Sequence, residues 1–154
     1  MVDFTDNILG DLLKRTKVLY DSIVWFSSFD TELKTKIIGW IQKDQLLKGI
    51  DEDGDIMGLY SKWTEIINPK KIAGTPYTLF DTGAFYKSMF IDVLTDFFVV
   101  DADPIKIDEE GKKTDLFKVY GDGIVGLTEE SLDKLQIELK NKYIEYVRKI
   151  LQID

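Results

Sequence analysis

A chain of 154 residues with 44% hydrophobic and 31% charged residues has the composition of one folded domain, 1–154, with a heavily charged surface, and not that of a disordered segment. It contains neither cysteine nor histidine, which removes disulfides, thiol catalysis, thiolate metal sites and every Ser–His or Cys–His centre. The net charge of −8, with its lysines scattered, gives no basic face for phosphates, so no sequence-specific nucleic-acid partner is expected.

The opening MVDFTDNILG lacks the basic start and apolar stretch of a secretory leader, and a reducing cytoplasm suits a cysteine-free chain. Ile8, Leu12, Leu19 and Ile23 recur at helical spacing from a cap at Thr5 or Asp6. Ser27–Asp30 interrupts that pattern. A second helix is predicted from an Asp30 or Thr31 cap, with Leu33, Ile37, Trp40 and Ile41 on one stripe. Residues 49–61 form an acidic segment around an Asp53-Gly54 turn. Asn68-Pro69 ends a short element, and Lys70, Lys71, Gly74 and Pro76 read as a loop. Phe90–Val100 is aromatic and β-branched, either one strand or a hairpin turning at Thr95-Asp96, and Ile105–Ile107 adds a strand before a Glu109–Lys113 turn. The longest apolar runs, Ile23–Phe26 and Phe97–Val100, are far short of a membrane span, so no membrane partner is expected.

The last element is the plainest. Thr128 is a predicted N-cap, with Glu129 and Glu130 in the first turn where the helix dipole favours acids. Leu132, Leu135, Leu139, Tyr143, Val147 and Ile150 then form one apolar line, and Ile137, Ile144 and Leu151 a second beside it. The pairs Glu130–Lys134, Glu138–Lys142 and Glu145–Lys149 have the favourable i,i+4 orientation. One line packs on the domain. The other is either broadly buried core or an assembly interface with a neighbouring subunit. The predicted fold class is α+β: N-terminal helices, a small antiparallel sheet centred on 90–107, and a long C-terminal helix packed on the sheet.

Two constellations invite chemistry. Asp51, Asp53 and Asp55 alternate as in an EF-hand loop, but Ile56 stands where that loop needs glycine and Lys62 where it needs the bidentate glutamate. A solvated acidic turn is the expectation, with no metal and no cofactor. Leu79-Phe80-Asp81-Thr82-Gly83-Ala84 resembles the active-site turn of retroviral-type aspartic proteases, dimers in which two aspartates share a proton; Gly123–Leu127 resembles their later apolar-glycine segment. Those domains are nearly all β, whereas helices open and close this chain, and no glycine-rich flap is evident. A dimeric aspartic protease using Asp81 is therefore the alternative reading, and no enzyme the preferred one.

More of the chain supports another resemblance. Tyr60-Ser61-x-x-Thr64, Lys70-Lys71-x-x-Gly74 and Leu79-x-x-Thr82-Gly83-x-Phe85-x-x-Ser88 follow in order, and Tyr120–Thr128, with Gly126 and Leu127, leads into the last helix. This succession, over roughly 30–150, resembles the virion-morphogenesis and tail-completion proteins of tailed bacteriophages. The arginine and proline that the family often carries before its final turn are absent here. The resemblance implies a structural subunit of a head–tail connector, neck ring or tail-completion complex, a ring-forming homo-oligomer that binds portal, connector or tail proteins. It also implies a place in the virion after assembly in the host bacterial cytoplasm.

Overall fold

The computed structural model describes residues 29–94, 97–108 and 111–153, together with Asp11, Leu12, Lys14, Thr16 and Lys17, all helical. The Thr5 or Asp6 cap, Ile8, Leu19 and Ile23 of the first predicted helix lie outside the described residues, as do Thr95-Asp96 and Glu109.

Helix α1 (Thr31–Gly39) starts where the Asp30 carboxylate accepts the Leu33 N–H at 2.8 Å. Its register runs on into a π-helical turn, Trp40–Gln45, and a 3₁₀ turn, Leu46–Lys48. Along this run Leu33, Ile37, Ile41 and Leu46 are buried completely or nearly so, forming the spine of the core. Each such side chain contributes roughly 1.5–3 kcal/mol by leaving water. Trp40 packs against that core while staying partly exposed.

Helix α2 (Lys62–Ile67) follows a loop, and helix α3 (Ala84–Ser88) delivers Phe85 and Tyr86 into the core. Strands β1 (Phe90–Val93) and β2 (Phe98–Asp101) pair antiparallel, Phe90 opposite Asp101 and Val93 opposite Phe98. The segment 90–100 is therefore a hairpin. Strands β3 (Ile105–Ile107) and β4 (Lys113–Asp115) make a second antiparallel ladder. The predicted small sheet is thus two two-stranded sheets. Isolated ribbons are marginal in water, and here helix and core supply their support: Ile91 and Ala102 are buried, and Val93, Phe98 and Val100 pack on the same core. Helix α4 (Leu116–Tyr120) begins at an Asp115 cap and leads through a 3₁₀ turn, Asp122–Val125, to α5 (Glu129–Leu151).

Thr128 caps α5 as expected, accepting the Ser131 N–H at 3.3 Å. The helix lies along α1. Lys36 reaches Glu138 at 3.1 Å, Lys134 reaches Asp44 at 3.3 Å and Lys142 reaches Asp30 at 2.5 Å. Glu130 and Lys134 form their i,i+4 pair, but Glu138 and Lys142 are drawn to α1, where an oppositely charged partner also fixes the helix–helix orientation. The predicted line is covered in part. Leu135 and Leu139 pack on the core and Val147 and Ile150 are partly covered, whereas Leu132 and Tyr143 face outward at 50% and 41% exposure and Ser131 joins the buried face.

Candidate functional site

The motif segments around Tyr60, Lys71 and Leu79 meet Tyr120 at one cleft, while Gly126 and Leu127 line another surface. Ser61 caps α2, its hydroxyl accepting the Thr64 N–H at 3.2 Å and lying 3.1 Å from the Thr64 hydroxyl. Tyr60 O accepts the Gly74 N–H, and the Tyr60 N–H reaches Thr75 O, closing residues 58–78 into an arm whose ends meet at a Leu59–Pro76 bridge. The Tyr60 hydroxyl in turn accepts the Thr78 N–H at 3.2 Å. Tyr77 stands edge-on between Tyr60 and Tyr120, with centroids 4.9 and 5.9 Å away. The arm is therefore rooted by stacked tyrosines, each with a large apolar face and a polar tip.

A cleft of about 320 Å³ opens beside this root, lined by Tyr60, Lys71, Leu79, Asp81, Lys106 and Tyr120 among others. Asp81 is its electrostatic centre. One oxygen takes Lys106 at 2.8 Å and the other Lys71 at 3.4 Å, while the Lys71 ammonium lies 5.8 Å from the Tyr60 ring centroid. The Lys106 hydrogen bond, above all, holds the Asp81 carboxyl below its ordinary range, against partial burial that acts the other way. Asp81 caps no helix: Gly83 is the N-cap residue of α3, without a side-chain cap, and Thr82 Oγ1 accepts the Ala84 N–H at 3.3 Å in the turn before it. A carboxylate clamped by two lysines resists the proton that an aspartate dyad must share, and a helix, not a strand, follows it.

The other motif residues are spent on shape. Leu79 adopts φ +52, uncommon for a residue with a side chain, and lines the cleft. Gly83 sits at φ +78 at the start of α3, with the Phe80 ring 3.3 Å from where a Cβ would stand. Phe85 is buried against Phe117, centroids 6.3 Å apart. The Tyr86 hydroxyl donates to Thr78 O at 2.5 Å, and burial pushes its pKa well above the usual phenol value. Ser88 donates to Phe85 O at 2.7 Å and accepts the Asp103 N–H at 3.0 Å, tying the end of α3 to the link between the hairpins.

Near α5, Leu127 packs on the core and Gly126 meets Glu52 so closely that an added Cβ would stand 2.7 Å from the Glu52 Cβ. Gln45, to which no sequence signal pointed, is 1% exposed and binds three groups at once. Its Nε2 donates to Gly126 O at 2.9 Å; its Oε1 accepts the Thr128 N–H at 3.2 Å and the Ser131 hydroxyl at 3.3 Å. The family-like turn and the start of α5 are thus fastened to the π-helical turn by one amide. Its signal was silent because an isolated glutamine reads as surface.

The acidic turn is self-contained. Asp51 Oδ1 accepts the Asp53 and Asp55 N–H groups at 3.1 and 3.0 Å. Among the described residues no three acidic side chains are gathered as a metal ion requires, and no helix is long and apolar enough to cross a membrane. On α5, Ile137 and Ile144 are 61% and 39% exposed and Leu151 is partly covered. A larger apolar surface was missed by sequence reasoning: Trp63, Ile66 and Ile67 on α2, at 75%, 69% and 83% exposure, with Ile72 beside them in sequence.

Comparison with protein-family models, curated proteins and solved structures returns no match.

Proposed function

We propose that the chain is a structural subunit of a tailed-bacteriophage head–tail connector, neck ring or tail-completion complex, working by ring assembly and binding. Its neighbours are further copies of itself and portal, connector or tail proteins. The motif order in the sequence supports this reading. So does the use of the motif residues: Ser61, Thr82, Gly83, Ser88 and Gly126 hold backbone to backbone, which serves a subunit whose surface is its function.

The observation that carries the proposal is the apolar surface on two separate helices, Trp63, Ile66 and Ile67 on α2 and Ile137 and Ile144 on α5. Large exposed aromatic and aliphatic side chains mark contact surfaces, and protomer contacts bury them. The test is the mass of the purified protein across a concentration series, with negative-stain images of the largest species. Closed rings, or oligomers that close on themselves, are the expected result. A monomer at every concentration, alone and with portal or tail proteins present, refutes the proposal.

A further inference from the structure

The arm and the groove beside α5 fit one another as two halves of a single contact. The arm, residues 58–78, carries Lys62, Lys70 and Lys71 against one acid, Glu65, in a chain where 28 acidic residues outnumber 20 basic ones. Its tip is apolar: no residue of α2 is buried, and Trp63, Ile66 and Ile67 stand in solvent. Among the described residues this segment alone sets an exposed tryptophan and two exposed isoleucines beside a local excess of lysine.

The opposite character occurs in an open groove of about 460 Å³ between β2 and the start of α5. Val99 and Leu132 line it, 41% and 50% exposed, with Phe98 and Leu127 alongside. The exposed acids Glu52 and Asp122 also line it, and Asp51, Asp53 and Asp55 share the adjacent turn with Glu52. An apolar floor with an acidic border complements an apolar tip with a lysine border. Arm and groove share no residue.

We propose that the arm of one copy seats in the acidic groove of the next, Trp63 and Ile67 on Val99 and Leu132, with Lys62 and Lys70 facing Glu52 and Asp122. The contact is heterologous, because donor and acceptor surfaces differ, and such contacts propagate around a ring or along a filament, where an isologous contact stops at a dimer. Trp63 is the anchor: a large, rigid side chain with basic neighbours is what dominates binding energy in such a seat. The inference rests on the ring reading above and supplies its contact.

Complementation tests it. Trp63→Glu removes the donor half and Leu132→Glu the acceptor half; both side chains are at least half exposed, so both variants should keep the wild-type circular dichroism spectrum. Each alone is expected to be monomeric at concentrations where the wild type is assembled. Mixed in equal amounts they should form a heterodimer and nothing larger, since one intact donor and one intact acceptor remain. Should either variant unfold, the charge reversals Lys70→Glu and Asp122→Lys replace them, with assembly lost in each and regained in the mixture of the two. Wild-type rings that persist unchanged in both variants overturn the arm-in-groove contact and leave the ring reading standing, the arm then serving a different protein. Monomeric variants that fail to combine also overturn it. A wild type that never assembles overturns both.

Discussion

Gln45→Met removes the amide while keeping most of its volume, and the structure sets the cost. Two backbone groups, the Gly126 carbonyl and the Thr128 N–H, lose a partner beside a side chain that is 1% exposed. Leaving a buried polar group unpaired costs about 1–3 kcal/mol. The third partner suffers less, because the Ser131 hydroxyl still lies 3.1 Å from Thr128 Oγ1. Both backbone groups are only partly buried, so the expected loss sits low in the summed range, about 2–4 kcal/mol, still a large part of a typical domain's stability. With a urea slope of about 2 kcal/mol/M, the midpoint should fall by roughly 1–2 M. Urea unfolding followed by tryptophan fluorescence and circular dichroism measures it, with Ser131→Ala as the comparison, expected to cost about 1 kcal/mol. A Gln45→Met midpoint within about 0.3 M of wild type would refute the claim that this amide fastens α5.

Ile144→Glu should leave the melting transition near normal, since the site is partly exposed, yet reduce higher oligomers in sedimentation; an unfolded variant would return that line to the domain's own core. Asp81→Asn should leave assembly largely intact and cost about 1 kcal/mol at neutral pH, because its lysine pairs lie at a solvent-reached cleft and the amide still accepts a lysine hydrogen bond. The sign of its pH dependence follows from the lowered pKa: the Asp81 contribution is present above the unfolded carboxyl pKa, about 4, and is lost as pH falls through the lower folded value. Thermal melts from pH 6 to pH 2 should therefore show a shallower acid decline in the variant, and identical declines would remove the lysine clamp from the account. Gly126→Ala, at a φ of −71 that alanine tolerates, should cost about 1–3 kcal/mol through overpacking against Glu52, and Glu52→Gly in the same chain should recover part of it; a neutral Gly126→Ala in chemical denaturation contradicts the packing.

What the sequence disclosed follows the range of the interactions involved. Caps act over three residues, so Asp30 and Thr128 were legible and begin their helices as predicted. The strand-forming run Phe90–Val100 was legible too, but whether it made one strand or a hairpin was not, and the pairing of Phe90–Val93 with Phe98–Asp101 decides for the hairpin. The inner face of α5 was legible only in part, because the buried Ser131 finds its partner in Gln45, 86 residues earlier. Hydrophobicity alone therefore placed Leu132 inside. The lysine clamp on Asp81 was not legible, because its lysines come from 10 residues before and from β3. Trp63, Ile66 and Ile67 escaped notice because six residues of helix are too short to display a periodic stripe.

The grip of Gln45 on the first turn of α5 has a mechanical side. The helix has 23 residues, and at 1.5 Å of rise each it is about 34 Å long. Its two fully buried side chains, Ser131 and Leu135, both lie in the first two turns, near Gln45. The ion pairs of Lys134, Glu138 and Lys142 with the α1 segment continue that hold to the middle of α5, so its last turns are the part that a change at the anchor moves furthest. A tilt of about 10° at Ser131 moves Leu151, about 30 Å away along the axis, through about 5 Å, close to one turn's pitch of 5.4 Å. Such a tilt has to break the Glu138 and Lys142 ion pairs as well as the Gln45 hydrogen bonds, so the far end of α5 is aimed by one buried amide and two surface ion pairs acting together.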